Sequence, residues 1–377
     1  MSVDESGLGD LFQDGPDSRG AAHMMNMLRD PEVIQIVANR YDRIFFTDGS
    51  GVRSAVRVFG TPAQYISWLN QLLLLTDAGY RDVDTASASV IEGSFDPAKT
   101  DLHGSIHIAT RELTRGDPAL TVRKQPRQAI TLDSMLQQGM MNPEMLFFLE
   151  QAVRGRANLL ISGGSGAGKT TLARALSYYI PPEQRVITVE EIDELHLQDR
   201  LPNVVSLTTH RVVDEQGSII RETSLEDLVR EALRMRGDRI WVGETRGREA
   251  YALVKACTSG HDGSVTTIHA DEAKQAVRQA VNYVMEYGIP EDVARDQVAL
   301  GFHLVIQIQP IRMGRRVITE ITEFEAVHEG NEQRRNELYR YDPESDSFQR
   351  RGRPTRRLAA ACEKYGVRIG DPPQVLR

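Results

Sequence analysis

Between the apolar run Leu159-Leu160-Ile161 and a helix-like stretch from Thr170, the chain carries Gly163-Gly164-Ser165-Gly166-Ala167-Gly168-Lys169-Thr170. Few octapeptides restrict a fold so tightly. The spacing G-x-x-x-x-G-K-[ST], set between strand and helix, turns successive backbone N–H groups inward around an anion and places a helix N-terminus behind them. Lys169 then reaches the β- and γ-phosphates of a bound ATP, the Thr170 hydroxyl ligates Mg²⁺, and Thr171 continues the cradle into the helix.

Around this loop, strand and helix patterns alternate over 158–162, 171–179, 185–189, 225–235, 239–242, 248–258 and 264–269. That rhythm predicts an α/β domain with a mostly parallel sheet covered by helices. Asn142-Pro143-Glu144 supplies a cap, a proline at the first helical position and an early acid, so the domain is placed at 142–329. Residues 1–28 read as a flexible arm and 29–123 as a smaller α+β domain. In that domain a helix is expected around Val33 to Val37, a hairpin over Arg43 to Gly49, a helix from Thr61-Pro62, and strands near Gly104 to Ala109 and Ala119 to Val122. Residues 124–141, with Pro126, read as a linker, and 330–377 as a basic peripheral tail.

Composition narrows the function. With 377 residues, 40 % of them apolar, the chain can build about two cored domains. Its longest aliphatic run, Leu72 to Leu75, is far below the roughly 20 residues of a membrane-spanning helix. A cytosolic protein is expected, peripheral to the inner face of the cytoplasmic membrane when a partner recruits it. Cys257 and Cys362 stand apart from any Cys/His cluster and read as reduced thiols. The net charge of −8 argues against a general nucleic-acid surface, although from Asn331 onward eleven Lys/Arg against seven Asp/Glu leave room for a local basic contact.

Three further segments bear on hydrolysis. Thr188-Val189-Glu190-Glu191-Ile192-Asp193-Glu194 gathers carboxylates at the end of a strand, where ligands of parallel sheets bind; Glu194 is the candidate to orient or deprotonate water, against the plainer reading of a solvated acidic helix start. Arg239-Ile240-Trp241-Val242-Gly243-Glu244 is an apolar strand ending in a carboxylate, resembling a Walker B segment whose Glu244 holds Mg²⁺ through water opposite Thr170. Gly260 to Ala270 closes another strand with His269, a structural histidine or a γ-phosphate sensor. Of the arginines between these segments, Arg211 and Arg221 flank a polar loop and are the candidate arginine fingers.

Together, the phosphate loop, the acidic box ending at Glu194, Gly243-Glu244-Thr245-Arg246-Gly247 and the histidine box at Gly260 to Ala270 stand in the order found in the secretion ATPases of type II secretion, type IV pili and type IV secretion. Over about Asp30 to Glu329 the chain resembles that family, most nearly its Tad/Flp pilus assembly branch, the CpaF type. The resemblance implies a RecA-like motor domain preceded by an N-terminal domain, a homohexamer, ATP bound between the two domains, and inner-membrane platform proteins of a pilus or secretion system as partners. It also assigns Glu194 as catalytic glutamate, Glu244 as the atypical Walker B residue, His269 as the residue near the γ-phosphate, and Arg123 as a possible nucleotide contact. Glu191 and Gly237 depart from the usual Asp and Pro, and the zinc cysteines of some relatives are absent. A conjugative, DNA-exporting version of the same motor is the main alternative. A non-hydrolysing nucleotide switch is a second, and a small-molecule kinase leaves the acidic and histidine boxes unexplained.

Overall fold

Successive residues of the strand before the phosphate loop face opposite ways, and each way is a core. Leu159 and Ile161 join one buried cluster while Leu160 joins another. Such a strand, apolar on both faces, belongs inside a sheet covered by helices on both sides. The computed structural model describes residues 18–48, 53–79, 82–85, 90–96, 98–124, 130–213, 219–311, 314–329 and 332–370. It divides into two compact units, one comprising Met1–Ala129 with Val212–Arg221, the other Ile130–Arg211 with Glu222–Arg377.

In the first unit, β1 (Val33–Arg40), β2 (Arg43–Asp48), β3 (Arg53–Val56), β4 (Val90–Ser94), β5 (Gly104–Ala109) and β6 (Ala119–Lys124) form an antiparallel sheet ordered β3-β2-β1-β6-β5-β4. The helix expected around Val33 to Val37 is therefore a strand. Its buried residues Val33, Ile36 and Ala38 meet the pairing of a hairpin with β2, and β-branched neighbours suit that pleat. The helix Pro62–Leu74 starts as expected, with Thr61 and Gln64 in a reciprocal capping box.

The expected arm is corrected from Ser18 onward. Ser18–Arg29 is a helix whose Ala21, Met24, Met25 and Leu28, at helical spacing, are buried in this unit's core; residues 1–17 lie outside the described residues.

The second unit adds β7 (Leu159–Gly163), β8 (Val186–Glu190), β9 (Val204–Thr208), β12 (Arg239–Val242), β13 (Val265–Ile268), β14 (Leu304–Pro310), β15 (Arg316–Glu329), β16 (Glu332–Asp342) and β17 (Ser347–Arg350) in one sheet. β10 (His210–Val213) and β11 (Ile219–Thr223) form a separate two-stranded ribbon. The sheet order is β17-β16-β15-β14-β7-β13-β12-β8-β9, parallel from β14 to β9 and antiparallel from β14 outward to β17. Pro143–Arg154 and Lys169–Leu176 cover one face; Leu225–Ala232, Glu249–Thr258 and Ala273–Met285 cover the other.

Two boundaries move. Within the expected linker, Leu132–Gln137 is a helix capped by Thr131, and its Leu132 and Met135 are buried in the second unit's core; residues 125–129, with Pro126, lie outside the described residues. The tail is not peripheral either. β16 and β17 extend the sheet, and Leu358 and Cys362 of the helix Arg356–Glu363 are buried in its core. Arg350 pairs with Glu144 at 2.8 Å, and Arg357 donates to the Leu300 carbonyl at 2.7 Å, so part of the tail's basic character is spent on anchoring it. Among the described residues no helix is long and apolar enough to cross a membrane.

Candidate active site

Parallel register brings the chemistry to one edge. Leu160 lies beside Thr266, Val242 beside Thr266, and Val242 beside Val189. The residues following β7, β13, β12 and β8 therefore emerge together at the strands' carboxyl ends, the position at which open parallel sheets take ligands.

The loop after β7 needs its glycines. A Cβ on Gly163 would stand 2.6 Å from the Ile308 carbonyl oxygen, and Gly166 and Gly168 have φ of +69° and +98°, a region costly for residues with a side chain. Lys169, 6 % exposed, opens the helix and donates through Nζ to the carbonyls of Gly163 at 3.0 Å and Gly164 at 3.1 Å. The same Nζ stands 3.3 Å from His269 Nδ1, while His269 Nε2 lies 2.9 Å from Glu244 Oε1. Burial holds the His269 imidazole below its ordinary pKa; Lys169 and Arg246 push it further down and Glu244 opposes them. Lys169 Nζ is also 3.4 Å from Nε2, nearly equidistant from the two ring nitrogens, and a neutral ring donating from Nε2 to Glu244 fits these contacts.

Glu244 is fixed from behind. The Thr245 amide donates to the Thr267 carbonyl at 2.8 Å, and the Thr267 hydroxyl donates to the Gly243 carbonyl at 2.8 Å. In front, Arg246 grips both oxygens of Glu244 at 2.9 and 3.1 Å and reaches Glu191 at 3.2 Å. The hydrogen bond to Glu244, and after it the charges of Glu244, Glu191 and Glu194, raise the pKa of Arg246 against the effect of burial. Glu190, the last residue of β8, is 3 % exposed, and burial, then Asp193, pushes its carboxyl well above the usual range.

Of the residues singled out in the sequence, Lys169 and Glu244 each meet His269, and Gly163–Thr171 forms the loop and the helix start. Glu194 follows β8 on the adjoining segment. Arg123 lies on β6 in the first unit, and Arg211 and Arg221 lie on β10 and β11, of which the backbone is described. Two residues had no assigned role in the sequence reading. Arg246 carries a signal, standing two residues past the strand-ending acid; Glu190 carries none, since its burial depends on a distant glycine.

The loop suits a polyphosphate: inward-turning backbone at positive φ, a shielded ammonium, and a helix N-terminus. Hydroxyl and carboxylate oxygens at Thr170 and Glu244 are hard donors appropriate to Mg²⁺. Among the described residues no cluster of three or more His, Cys, Asp or Glu could hold a metal ion. An open cleft of about 610 Å³ beside Gly164, Ser165 and His269 gives access to the loop.

Comparison with solved structures supports the fold. The chain is similar to the ATPase DotB of Legionella pneumophila (18 % identity, TM-score 0.50, covering 88 % of this chain and 84 % of that one). It is also similar to the pilus retraction motor PilT with bound ADP (15 % identity, TM-score 0.51, covering 91 % and 85 %). In sequence it is 37 % identical over 182 residues to the type IV secretion system protein VirB11 of Bartonella henselae, 47 % of this chain and 49 % of the relative. It is 28 % identical over 325 residues to a probable conjugal transfer protein TrbB of Sinorhizobium fredii, 85 % and 89 % respectively. The chain spans about half the length of curated relatives such as VirB11. Residues 105–348, most of the chain, match the type II/IV secretion system protein family, with strands β7, β8, β12 and β13 and every side chain of the converging site inside that span; to this family the chain belongs.

Proposed function

We propose that the protein is an ATP-hydrolysing motor, working as a homohexamer that drives pilus assembly or protein secretion from the inner face of the cytoplasmic membrane. The observation that carries this reading is the meeting of Lys169, His269, Glu244 and Arg246 at the mouth of the phosphate loop. Lys169 supplies positive charge to the β/γ-phosphates, and His269, neutral and held by Glu244, donates or yields a hydrogen bond as the γ-phosphate comes and goes. Glu194 orients and deprotonates the attacking water. Mg²⁺, held by Thr170 and through water by Glu244, neutralises charge on the phosphates when bound. Arg123, Arg211 and Arg221 are read as cations brought to the phosphates from outside the loop.

The test is steady-state phosphate release beside nucleotide binding. Glu194→Gln is expected to bind ATP normally and to stop turnover; hydrolysis at the normal rate in that variant excludes the assigned base. Native mass measurement with and without ATP tests the hexamer, and co-purification with inner-membrane platform proteins tests the partner. A second reading, a conjugative motor, draws on the match to the Sinorhizobium protein over most of both chains. Relaxase and coupling-protein genes beside this one would favour it; pilin and prepilin peptidase genes would favour the first.

A further inference from the structure

A buried carboxylate with no role in this mechanism stands between two acids that have one. Glu190 is fixed at the end of β8, its carbonyl accepting the Thr209 amide at 3.1 Å. Its side chain turns inward. Oε1 accepts the backbone amide of Glu194 at 3.1 Å and that of Leu195 at 3.1 Å, with Oε2 3.4 Å from the latter. Leu195 itself is anchored in the core, so the segment from Glu191 to Glu194 is folded back over the Glu190 carboxylate. On the other side lies Gly243, whose amide donates to the Val189 carbonyl at 2.9 Å. A Cβ there would stand 2.8 Å from Glu190 Cγ and 2.8 Å from Oε1, so only glycine lets the β12 end, and Glu244 after it, pass so close.

Packing alone does not account for this residue. A buried carboxylate carries a desolvation cost that an apolar side chain of similar size avoids, and a costly buried polar group can be kept for the geometry it imposes. Here that geometry joins the amide of Glu194 to the residue preceding Glu244.

We propose that Glu190 is a positioning residue for hydrolysis: seated against Gly243 and bonded to the Glu194 amide, it sets the placement of the Glu194 side chain relative to Glu244 and the phosphate loop. The inference rests on the reading of Glu194 as the water-activating group. It acts through Glu194, so it governs the chemical step and leaves nucleotide binding to the loop.

The test uses the full-length protein and four variants, with kcat and KM for ATP measured beside the affinity for a fluorescent ADP analogue. Glu190→Leu keeps the volume and removes the acceptors; its kcat is expected to fall about 100-fold while KM and ADP affinity stay within about 3-fold, as for a misplacement on the order of an ångström. Gly243→Ala, which displaces the carboxylate, should show the same split. Glu190→Gln retains an acceptor oxygen and should recover kcat to within about 5-fold of the parent, a rescue that a purely structural role does not predict. Should Glu190→Leu fail to fold, Glu190→Asp replaces it, drawing the carboxylate back by one methylene with an expected kcat loss of about 10-fold and unchanged ADP affinity.

Parent-like kcat in Glu190→Leu or Glu190→Asp overturns the proposal, as does parallel loss of kcat and ADP affinity in every Glu190 variant. Glu194→Gln separates the two readings. If it is inactive while the Glu190 variants are normal, only the positioning role fails; if it hydrolyses normally, both fail.

Discussion

The two ends of the central parallel sheet both carry charged side chains and use them differently. At the carboxyl ends, Glu244, Arg246 and His269 bond to one another beside Lys169, which is held by two carbonyls of its own loop, and His269 and Arg246 remain 43 % and 57 % exposed. At the amino ends Asn158, Arg239 and Asp238 each have at least one bond to the backbone of a distant segment. Asn158 accepts the amides of Gly263 at 2.8 Å and Ser264 at 3.0 Å and donates to the Gly301 carbonyl at 2.8 Å. Arg239, 1 % exposed, donates to Gln184 and to the Val153 carbonyl, and Asp238 accepts the Arg185 amide at 2.8 Å. A buried side chain bonded to backbone far along the chain, as Asn158 and Arg239 are, is a brace, because it moves only if the fold does. Charges bonded to other side chains at a solvent-facing rim can exchange partners when a phosphate arrives. The presence of charge therefore does not distinguish a site from a brace; the destination of the hydrogen bonds does.

The comparison breaks most sharply at its two extremes. Lys169→Ala is expected to lower ATP turnover on the order of 10³-fold, since in the proposed mechanism Lys169 supplies the cation facing the transferred phosphate. Its melting temperature should stay near the parent's; thermal denaturation and phosphate release on one preparation check this. Arg239→Leu should do the reverse, losing about 3 kcal/mol of stability because Gln184 and the Val153 carbonyl are left unpaired in the interior. ADP affinity of the folded fraction should be unchanged. A stable, inactive Arg239→Leu would mean that the two ends of the sheet are not separable in this way.

The same contrast explains what the sequence discloses. The phosphate loop is legible because its backbone conformation is written in adjacent glycines, and the parallel sheet follows from alternation with helices. The converging side chains are legible because parallel strands must end at one edge. Glu190 is not: among Glu190, Glu191, Asp193 and Glu194 it looks like one more solvated acid, and only Gly243, far along the chain, makes room to bury it. The helix Ser18–Arg29 hides behind an N-terminal region rich in Gly, Asp and Ser, although Ala21, Met24, Met25 and Leu28 keep helical spacing. In the tail, Arg-rich composition reads as exposed charge, whereas β16 and β17 gain their stability from pairing with β15, a long-range term that no local pattern contains.

Acid sharpens the comparison at the brace. The His303 Nδ1 accepts the Asn158 amide at 3.0 Å, which requires an unprotonated nitrogen there. Burial, aided by Arg357 and opposed by Asp262, lowers its pKa to about 4. The native state thus refuses a proton that the unfolded chain, with an ordinary value near 6.5, accepts. The contribution is complete above about pH 6.5 and is lost progressively as the pH falls toward 4, amounting to about 3 kcal/mol at the lower end. Glu190 has the opposite sign, its raised pKa favouring the native state at low pH and costing stability as pH rises past the unfolded carboxyl value. His303→Asn, which keeps an acceptor, should flatten the loss between pH 6.5 and 4 in chemical denaturation; an unchanged slope would remove His303 from the account.

The smallest effect belongs to the tail, and it asks whether ion pairing or burial holds β17. Arg350 and Glu144 meet at 2.8 Å with side chains 22 % and 30 % exposed, so each keeps part of its hydration and the surrounding water weakens their attraction. Burial of Tyr339, Leu358 and Cys362 removes far more surface from water than this pair does. Arg350→Met should therefore cost no more than about 1 kcal/mol, and the difference from the parent should shrink in high salt. A larger, salt-independent loss would point to the arginine's Nε bond to the Gly352 carbonyl at 3.2 Å, a backbone contact like those of the braces although a local one, and would set Arg350 beside that class. Because the proposed chemistry lies at the opposite kind of contact, ATP turnover should be unaltered in Arg350→Met whichever of the two holds the strand.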